Sequence, residues 1–390
     1  MHRAHWVFVT NVDPSVATDA QRTHVVELVR ALKAGGIAVT LMAPRASIDT
    51  DRTLVPWMNT RPVSLPPSTL WRELSTLVLL TRVLRQRAID RVYVRQGGVN
   101  AAALVFARLL SIPCFLEVNG ILDEEYRLLR GRSLRTSLAT WCMNLSSRLT
   151  YALCGHVIAV TDGIKQHLIR KFAVDPQKIS VIGNGTNTER FVPLDRGECI
   201  SKLKLKATLR YVGFVGSLTP WQGVDLLIRA FADPCLAHSE VKLLVVGTGQ
   251  DEERLMSLCR SLGVWDKVIF VGQVKHDEVV YYINSCTAAV VPKRPMASGY
   301  SPLKVHEALA CGRPVIASSV PGLEFIAQRG VGLLFEPESA ADLAQKLMEL
   351  LSLPEPDLAV MGNRARELAE HGYSWTGVAD RIIRLAGSRC

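Results

Sequence analysis

Short apolar runs alternate with amphipathic segments along the chain, and this alternation predicts a repeated strand–helix pattern. In the first half the predicted strands are Trp6–Thr10, Ala38–Met42, Arg91–Arg95, Pro113–Val118, Val157–Val160 and Ile179–Ile182. The predicted helices there are Thr23–Ala34, Trp71–Arg87, Asn100–Leu110 and Asp162–Lys171. Near-continuous apolar strands separated by helices indicate a parallel sheet covered on both faces.

The pattern begins again after the turn-rich segment Phe191–Gly197, which we interpret as a linker. The second-half strands are predicted at Tyr211–Val215, Val241–Val246, Val268–Val271, Ala288–Val291 and Val315–Ala317. The helices are predicted at Val224–Phe231, Glu252–Leu262, Pro302–Ala310, Ala340–Leu351 and Met361–Leu385, the last with a break at His371–Gly372.

A chain of 390 residues exceeds one comfortable core, so we expect two domains. The prediction is an α/β fold of two doubly wound parallel-sheet (Rossmann-like) domains facing a cleft. We set the domain bounds at 1–190 and 191–365. A C-terminal helical segment, 366–390, is expected to pack back on the first domain.

Composition narrows the class of protein. The chain is 48% hydrophobic and 21% charged, which is typical of a soluble globular protein. No apolar run approaches the roughly 18–20 residues that span a bilayer, and Met1–Thr10 lacks the features of a secretory signal. Nine scattered cysteines without a C-x-x-C pair favour reduced thiols over a zinc site. We therefore expect a cytoplasmic protein.

Positive charge is concentrated in one part of the chain. The net charge is +10, and residues 61–150 carry thirteen arginines, six acidic residues and no lysine, a local charge of +7. Such a surface binds nucleic acid, anionic lipid or phosphorylated substrates, or is simply solvated. No helix-turn-helix or RNA-recognition pattern is present, so we expect no nucleic acid partner.

An apolar set at helical spacing follows the arginine-rich segment Arg127–Arg135. Its members are Leu138, Trp141, Cys142 and Leu145. The combination is typical of a helix on an anionic membrane surface, which predicts a peripheral position at the inner face of the membrane. Packing of the same stripe into the domain core is the alternative.

The segment Ser298–Ser318 carries the clearest chemistry. Ser301 can cap a helix, and Pro302 suits its first position. Lys304 and Glu307 then occupy neighbouring positions on one face. The helix start attracts an anion, the lysine adds positive charge and the glutamate accepts hydroxyl hydrogen bonds. A nucleotide sugar needs this combination, whereas a plain surface helix with a Glu–Lys pair is the alternative.

The run E-A-L-A-C-G-R-P-V-I-A from Glu307 resembles the second half of the glycosyltransferase family 4 signature, E-x7-E followed by A-x-A-x-G-x-P-V. The resemblance implies a retaining, metal-independent enzyme of the two-domain GT-B type, in which Glu307 holds the donor ribose. The first glutamate of the signature is replaced by Gly299. The chain resembles the branch that reads S-P-x-K-x-x-E instead, and Lys304 is part of that motif.

Further segments resemble the same family. Gly216–Phe231 is similar to its G-R-x-x-x-x-K-G-x-D-x-L-I-x-A segment, with Ser217 and Gln222 in place of the two cations that neutralise the donor diphosphate. Val246–Gly249 is similar to the family's V-G-x-G segment, which lies near the nucleotide base, and Phe270–Val274 is similar to its F-x-G-x-V segment. The resemblance implies that the backbone of the second segment contacts the base. The donor-binding prediction comprises Gly216, Ser217, Gln222, Gly247, Gly249, Val274, Lys293, Arg294, Gly299, Tyr300, Ser301, Pro302, Leu303, Lys304 and Glu307.

Candidate chemistry in the first domain is less specific. Glu117 and Asn119 end a strand on the same side, and we predict them, with Lys304, as catalytic. Glu117 could act as a base, stabilise positive charge, or be a hydrogen-bonded strand-end carboxylate. His24 either shapes the site or packs a helix. The D-x-D of Asp49 and Asp51 is assigned no metal role.

These features predict a glycosyltransferase that moves a sugar from a nucleotide-sugar to an acceptor hydroxyl. A glycan or lipid-linked acceptor is expected, in polysaccharide, glycolipid or lipid-linked glycan synthesis, without cofactor or metal. Two alternatives stay open at this point: a nucleotide-sugar epimerase or phosphorylase of the same fold, and a catalytically inactive basic binding protein.

Overall fold

The computed structural model describes residues 3–12, 20–43, 66–97, 101–121, 124, 126, 134–237 and 239–388. Asp49, Asp51, Arg130 and Arg132 lie outside these residues. The chain forms two compact units. Unit 1 comprises Met1–Asn184 and Trp375–Cys390, and unit 2 comprises Gly185–Ser374.

Unit 1 contains one six-stranded parallel sheet. Its strands are β1 (His5–Val9), β2 (Ala38–Met42), β3 (Arg91–Arg95), β4 (Cys114–Val118), β5 (His156–Ala159) and β6 (Ile179–Val181). They lie in the order β2-β1-β3-β4-β5-β6. The helices that precede unit 2 in the chain are α1 (Ala20–Ala34), α2 (Pro66–Gln86), α3 (Ala101–Leu109), α4 (Leu134–Leu153) and α5 (Asp162–Phe172).

Unit 2 contains a second six-stranded parallel sheet. Its strands are β7 (Arg210–Val215), β8 (Val241–Val246), β9 (Val268–Gly272), β10 (Ala288–Val291), β11 (Val315–Ser318) and β12 (Gly332–Phe335). The order β12-β11-β10-β7-β8-β9 is that of the doubly wound dinucleotide-binding fold. Strand order reverses between β7 and β10, and ligands bind at the carboxyl ends of the strands at such a point.

The helices of unit 2 flank this sheet. They are α6 (Arg196–Lys202), α7 (Val224–Phe231), α8 (Pro234–Ala237), α9 (Glu252–Ser261), α10 (Val279–Ser285), α11 (Leu303–Ala310), α12 (Phe325–Gln328), α13 (Ala340–Leu351) and α14 (Glu355–Gly372). The last helix of the chain, α15 (Trp375–Gly387), belongs to unit 1 and packs against α1.

Helices cover both faces of each sheet, which confirms the predicted α/β architecture. In unit 1, Leu80 of α2 and Leu104 of α3 are buried in one core with Val94 of β3. On the side that carries α15, the Arg91 guanidinium lies 4.4 Å from the Phe115 ring centroid and donates to the Ala386 carbonyl at 2.9 Å. These contacts attach the C-terminal helix to the first sheet.

The structure differs locally from the predicted elements. The expected linker Phe191–Gly197 is a loop only as far as Asp195, because helix α6 begins at Arg196. The Asp195 side chain caps this helix and accepts a hydrogen bond from the Glu198 N–H at 2.8 Å. Strand β12 and helix α10 were not expected from the sequence. The last helical segment is broken as predicted, two residues further on, since Tyr373 and Ser374 separate helices α14 and α15.

Candidate active site

Four loops of unit 2 follow the carboxyl ends of β7, β8, β10 and β11 and contact one another closely. The Gly216 N–H donates to the Val246 carbonyl at 3.0 Å, and the Leu218 N–H donates to the Thr248 carbonyl at 2.9 Å. A side chain on Gly247, where φ is +127°, would place its Cβ 2.0 Å from the Gly216 oxygen. The backbones of the loops after β7 and β8 are therefore in direct contact at the positions where the sequence predicted binding of the nucleotide-sugar donor.

The two positions that replace the family's cations bond to each other. The Gln222 side-chain amide donates to the Ser217 hydroxyl at 3.3 Å. Gly249 lies nearby, since a Cβ there would be 2.2 Å from the Leu218 oxygen. The Ser217 and Gln222 side chains are thus polar but uncharged, so the positive charge for a diphosphate is left to the loop after β10 and to the start of the helix that follows it.

Glu307 is the central carboxylate of unit 2. It lies on α11 and is only 2% exposed. The Lys304 ammonium lies 2.7 Å from one carboxylate oxygen, and His276 Nε2 lies 3.6 Å from the other. Burial alone would raise the pKa of Glu307, but Lys304 and His276 hold it below its ordinary value. The carboxylate is therefore ionised at neutral pH and held from two sides.

His276 is itself held in place. The Arg190 guanidinium lies 2.8 Å from His276 Nδ1, and the Phe191 ring packs edge-on against the imidazole at 5.5 Å. Sequence reasoning missed His276 and Arg190, because neither belongs to a motif near Glu307. Val274, a predicted base contact, precedes His276 by two residues and packs against the apolar cluster that contains Phe191.

The start of α11 differs from the prediction. The helix begins at Leu303, and Pro302 occupies the N-cap with an extended ψ of 121°. No side chain caps this helix, so the expected Ser301 cap and the expected first-turn position of Pro302 are both wrong. Lys304 and Glu307 nevertheless lie on one face, as the spacing predicted, because the helix is continuous across them.

Gly299 stands where the family signature has its first glutamate, and its backbone requires glycine. Its φ is +64°, in the left-handed region, and an added Cβ would lie 2.9 Å from the Pro321 carbonyl oxygen. The next residue, Tyr300, donates its N–H to the same oxygen at 2.9 Å and its hydroxyl to the Arg294 carbonyl at 2.7 Å. The local conformation is thus incompatible with the usual acidic residue.

The Arg294 guanidinium forms salt bridges with two carboxylates. It pairs with Asp225 at 2.7 Å and also with Glu338, while its Nε donates to the Pro220 carbonyl at 3.0 Å. These contacts join the loops after β7 and β10. Two carboxylates compensate its charge, so Arg294 is a weaker candidate for binding a diphosphate than Lys293 or Lys304.

Lys293 is a buried cation of a different kind. Its side chain is 8% exposed, and the ammonium lies 4.9 Å from the Tyr300 ring centroid. Burial lowers the pKa of Lys293 to about 7, with no charged neighbour contributing to the shift. No carboxylate of the described residues pairs with this buried amine, which is costly for the fold and suits an anion-binding site.

We expect Lys293→Met to stabilise the protein in the absence of a bound anion. Between pH 7 and pH 10.5 the folded wild-type protein binds fewer protons through Lys293 than its unfolded chain does. The stability of the wild-type protein therefore rises with pH over this window, and the advantage of the variant shrinks. The gain in unfolding free energy should be roughly 2–5 kcal/mol at pH 6 and should fade towards pH 10.5. Urea denaturation at several pH values measures it. Exposed Lys275→Met is the control, and an absence of any gain at pH 6 would contradict the burial cost.

In unit 1, Glu117 lies at the centre of a buried polar cluster. Its side chain is in contact with His24 Nε2 at 2.7 Å and Arg95 Nε at 3.8 Å, and it accepts hydrogen bonds from Tyr93 and Asn119. Burial favours the neutral form, but these neighbours, His24 foremost, lower the pKa of Glu117 to about 2. A carboxylate this acidic is a weak general base at neutral pH, which favours an electrostatic role over proton abstraction.

His24 connects this cluster to the end of the chain. Its ring packs edge-on against Trp375 of α15, with the centroids 5.0 Å apart. The histidine is 4% exposed. His24 therefore has both of the roles that the sequence left open, because its ring packs against helix α15 and its Nε2 contacts the Glu117 carboxylate.

Within the described residues, no group of three or more His, Cys, Asp or Glu side chains could hold a metal ion. The polar groups around Glu307 are instead basic. A buried, ionised carboxylate beside a lysine, at the point where strand order reverses, is suited to bind hydroxyl groups and phosphate together.

Two parallel Rossmann-like sheets, the second carrying this carboxylate–lysine pair, are the architecture of the GT-B glycosyltransferases. The Glycosyltransferase Family 4 model matches residues 21–190, and the model for glycosyl transferases group 1 matches residues 195–368. Between them the two models match most of the chain, which places it with the family 4 type of glycosyltransferase.

Relatives of the chain agree with this assignment. A D-inositol 3-phosphate glycosyltransferase from Actinosynnema mirum is 32% identical over 241 residues, which cover 59% of this chain and 57% of that protein. The match therefore spans little more than half of the relative's length.

Two solved structures share the fold. Sucrose-phosphate synthase from Thermosynechococcus elongatus has a TM-score of 0.79 at 20% identity, with 99% of each chain covered. Anabaena HepE in complex with UDP-glucose has a TM-score of 0.69 at 17% identity, with 98% of this chain and 99% of that chain covered.

Proposed function

We propose that this glycosyltransferase uses a nucleotide-sugar donor and transfers the sugar with retention of anomeric configuration. The observation that carries the proposal is Glu307, which is buried, ionised and fixed by Lys304 and His276. Its oxygens can accept hydrogen bonds from the ribose hydroxyls. The structural neighbour crystallised with UDP-glucose supports the same class of donor.

In the proposed reaction, the bond between the anomeric carbon and the donor phosphate breaks as the acceptor oxygen attacks from the same face. The acceptor proton passes to the departing phosphate. Lys304 stabilises the negative charge that develops on this phosphate, together with Lys293 and backbone N–H groups. We propose that these groups make a metal ion unnecessary. In unit 1, Glu117 and Asn119 would support the transfer electrostatically.

We propose a glycan or lipid-linked acceptor, in polysaccharide, glycolipid or lipid-linked glycan synthesis. The enzyme would then act in the cytoplasm, at the inner face of the membrane. The excess of arginine in residues 61–150 supports this location, because a lipid-linked acceptor requires the enzyme to reach an anionic surface.

The test starts with a thermal-shift screen of nucleoside diphosphates and nucleotide sugars. A ligand at 100 times its Kd should add roughly 2.7 kcal/mol of stability. The donor found in this way is incubated with and without glycan and lipid-linked acceptors, and the product's anomeric configuration is determined by NMR. Acceptor-dependent transfer with retention that survives a chelator is expected.

Other outcomes would change the proposal in defined ways. Conversion of the donor sugar without any acceptor would indicate an epimerase, and inverted product would exclude retention. Activity lost with the chelator and restored by Mg²⁺ or Mn²⁺ would contradict the metal-free reaction. No stabilisation by any nucleotide would contradict the donor class.

A further inference from the structure

Helix α4 exposes several large apolar side chains and buries the small polar side chains Thr140, Ser147 and Thr150. Leu138, Trp141, Leu145 and Leu149 are 65, 62, 56 and 53% exposed. They recur every three or four residues and so form one stripe along the helix, which we call the α4 stripe. A surface helix ordinarily turns its apolar stripe towards the core, whereas α4 turns this stripe towards solvent.

The buried side of α4 shows that this orientation is fixed by packing. Thr140 and Thr150 are 2 and 1% exposed, and their hydroxyls donate to the carbonyls of Ser137 and Ser146 within the helix. Tyr151 is also buried and packs edge-on against Phe172 of α5 at 5.0 Å. Turning the helix to hide its apolar stripe would remove Tyr151 from this core.

The charges along α4 are all positive. Its two charged residues, Arg135 and Arg148, are both exposed, and the helix carries no acidic residue. Arg135 lies three residues before Leu138, and Arg148 lies next to Leu149. The α4 stripe is therefore bordered by cations near both ends.

Neighbouring helices extend the same kind of surface. Helix α3 packs against both α2 and α4, and Leu109 at its end is 78% exposed. On α2, three exposed apolar residues lie on one stripe, and two exposed arginines follow on later turns. These are Trp71, Leu74, Val78, Arg82 and Arg85.

We propose that the α4 stripe, with the exposed residues of α2 and α3, docks on an anionic lipid bilayer. Apolar side chains with arginines beside them match a surface that is apolar beneath a layer of negative headgroups. Pairing of two copies through a two-fold axis would bring the arginine-rich surfaces of both chains together, which is unfavourable. No helix within the described residues is long and apolar enough to cross a membrane.

This docking rests on the membrane location proposed above and assigns it to a surface of unit 1, but it requires neither donor nor acceptor. The first experiment is flotation of the full chain with vesicles of phosphatidylglycerol or of phosphatidylcholine. We expect binding to phosphatidylglycerol at low salt, little binding to phosphatidylcholine, and weaker binding at high salt.

Matched variants test the two components separately. Trp141→Ser with Leu145→Ser removes apolar area, and Arg135→Glu with Arg148→Glu reverses charge. Each pair should lower partitioning to phosphatidylglycerol by roughly ten-fold or more. The exposed unit 2 controls Val360→Ser and Arg229→Glu should leave partitioning unchanged.

The chain also offers an internal reporter. Cys142 is exposed beside Trp141 in the α4 stripe, and Cys235 is exposed in unit 2. In a Cys390→Ser background, an environment-sensitive dye is attached to Cys142 with Cys235→Ser, or to Cys235 with Cys142→Ser. Vesicles should shift the emission of the dye at Cys142 to shorter wavelength and leave the dye at Cys235 unchanged.

Three results would overturn the docking proposal. They are no flotation with phosphatidylglycerol at low salt, equal partitioning of all variants, and a dimer in solution that Trp141→Ser dissociates. The last result would assign the α4 stripe to a second copy of the chain. Nucleotide binding by the same variants is measured separately, so failure of docking is distinguishable from failure of the proposed transfer reaction.

Discussion

Replacing Glu307 by Gln should weaken nucleoside diphosphate binding by roughly 10- to 100-fold and nearly abolish sugar transfer. A carboxylate makes charge-assisted hydrogen bonds worth roughly 1.5–3 kcal/mol each to hydroxyl donors, and a neutral amide makes weaker ones. The change keeps the volume of a side chain that is only 2% exposed, so the fold should be retained. Calorimetric titration measures the affinity, and product formation measures the transfer.

The control for this variant is Glu367→Gln, which removes an exposed carboxylate from α14. It should bind nucleotide and transfer sugar as the wild-type protein does. Thermal melting of Glu307→Gln separates lost binding from lost folding. Wild-type nucleotide affinity in a folded Glu307→Gln protein would remove Glu307 from the donor site.

Lys304→Met should lower kcat by roughly 100-fold or more, the size of effect seen when a preorganised electrostatic group is removed. The Lys304 ammonium lies 2.7 Å from Glu307 and is 27% exposed, so it can meet both the carboxylate and an incoming phosphate. Lys293→Met and Arg294→Met should have smaller effects. Arg294 is already compensated by two carboxylates, and burial lowers the pKa of Lys293 to about 7.

Helix α13 contains a matched control for Lys304. Lys346 and Glu349 have the same i, i+3 spacing and the same 2.7 Å separation, but the Glu349 side chain is 50% exposed. Lys346→Met should therefore leave kcat unchanged. Equal, mild losses for Lys304, Lys293 and Arg294 would show that backbone N–H groups hold the phosphates.

Most of the fold was predictable because its strands are short apolar runs rich in valine and isoleucine. Strand β12 escaped notice because Gly-Leu-Leu-Phe has little β-branched character. Helix α10 was missed for the opposite reason. Its Val-Val-Tyr-Tyr segment favours a strand by propensity, and burial of its side chains makes it helical. In both elements tertiary contacts override the local preference.

The site was predictable where its residues are close in sequence. Lys304 and Glu307 were paired by helical spacing, and Glu117 and Asn119 by strand alternation. His276 contacts Glu307 across 31 positions of the chain, and no local pattern contains that information. Spacing also revealed the α4 stripe but not its direction, because periodicity places residues on one side of a helix without saying which side faces water.

Helix α15 has a consequence for the order in which the protein is made. Unit 2 is one continuous segment, whereas unit 1 is completed by residues that follow it in the chain. During synthesis, Arg91 cannot reach the Ala386 carbonyl, nor His24 the Trp375 ring, until all of unit 2 has been translated. The first domain to leave the ribosome is therefore the last to be completed, and the sheet face that carries Arg91 lacks α15 until the whole of unit 2 has been translated.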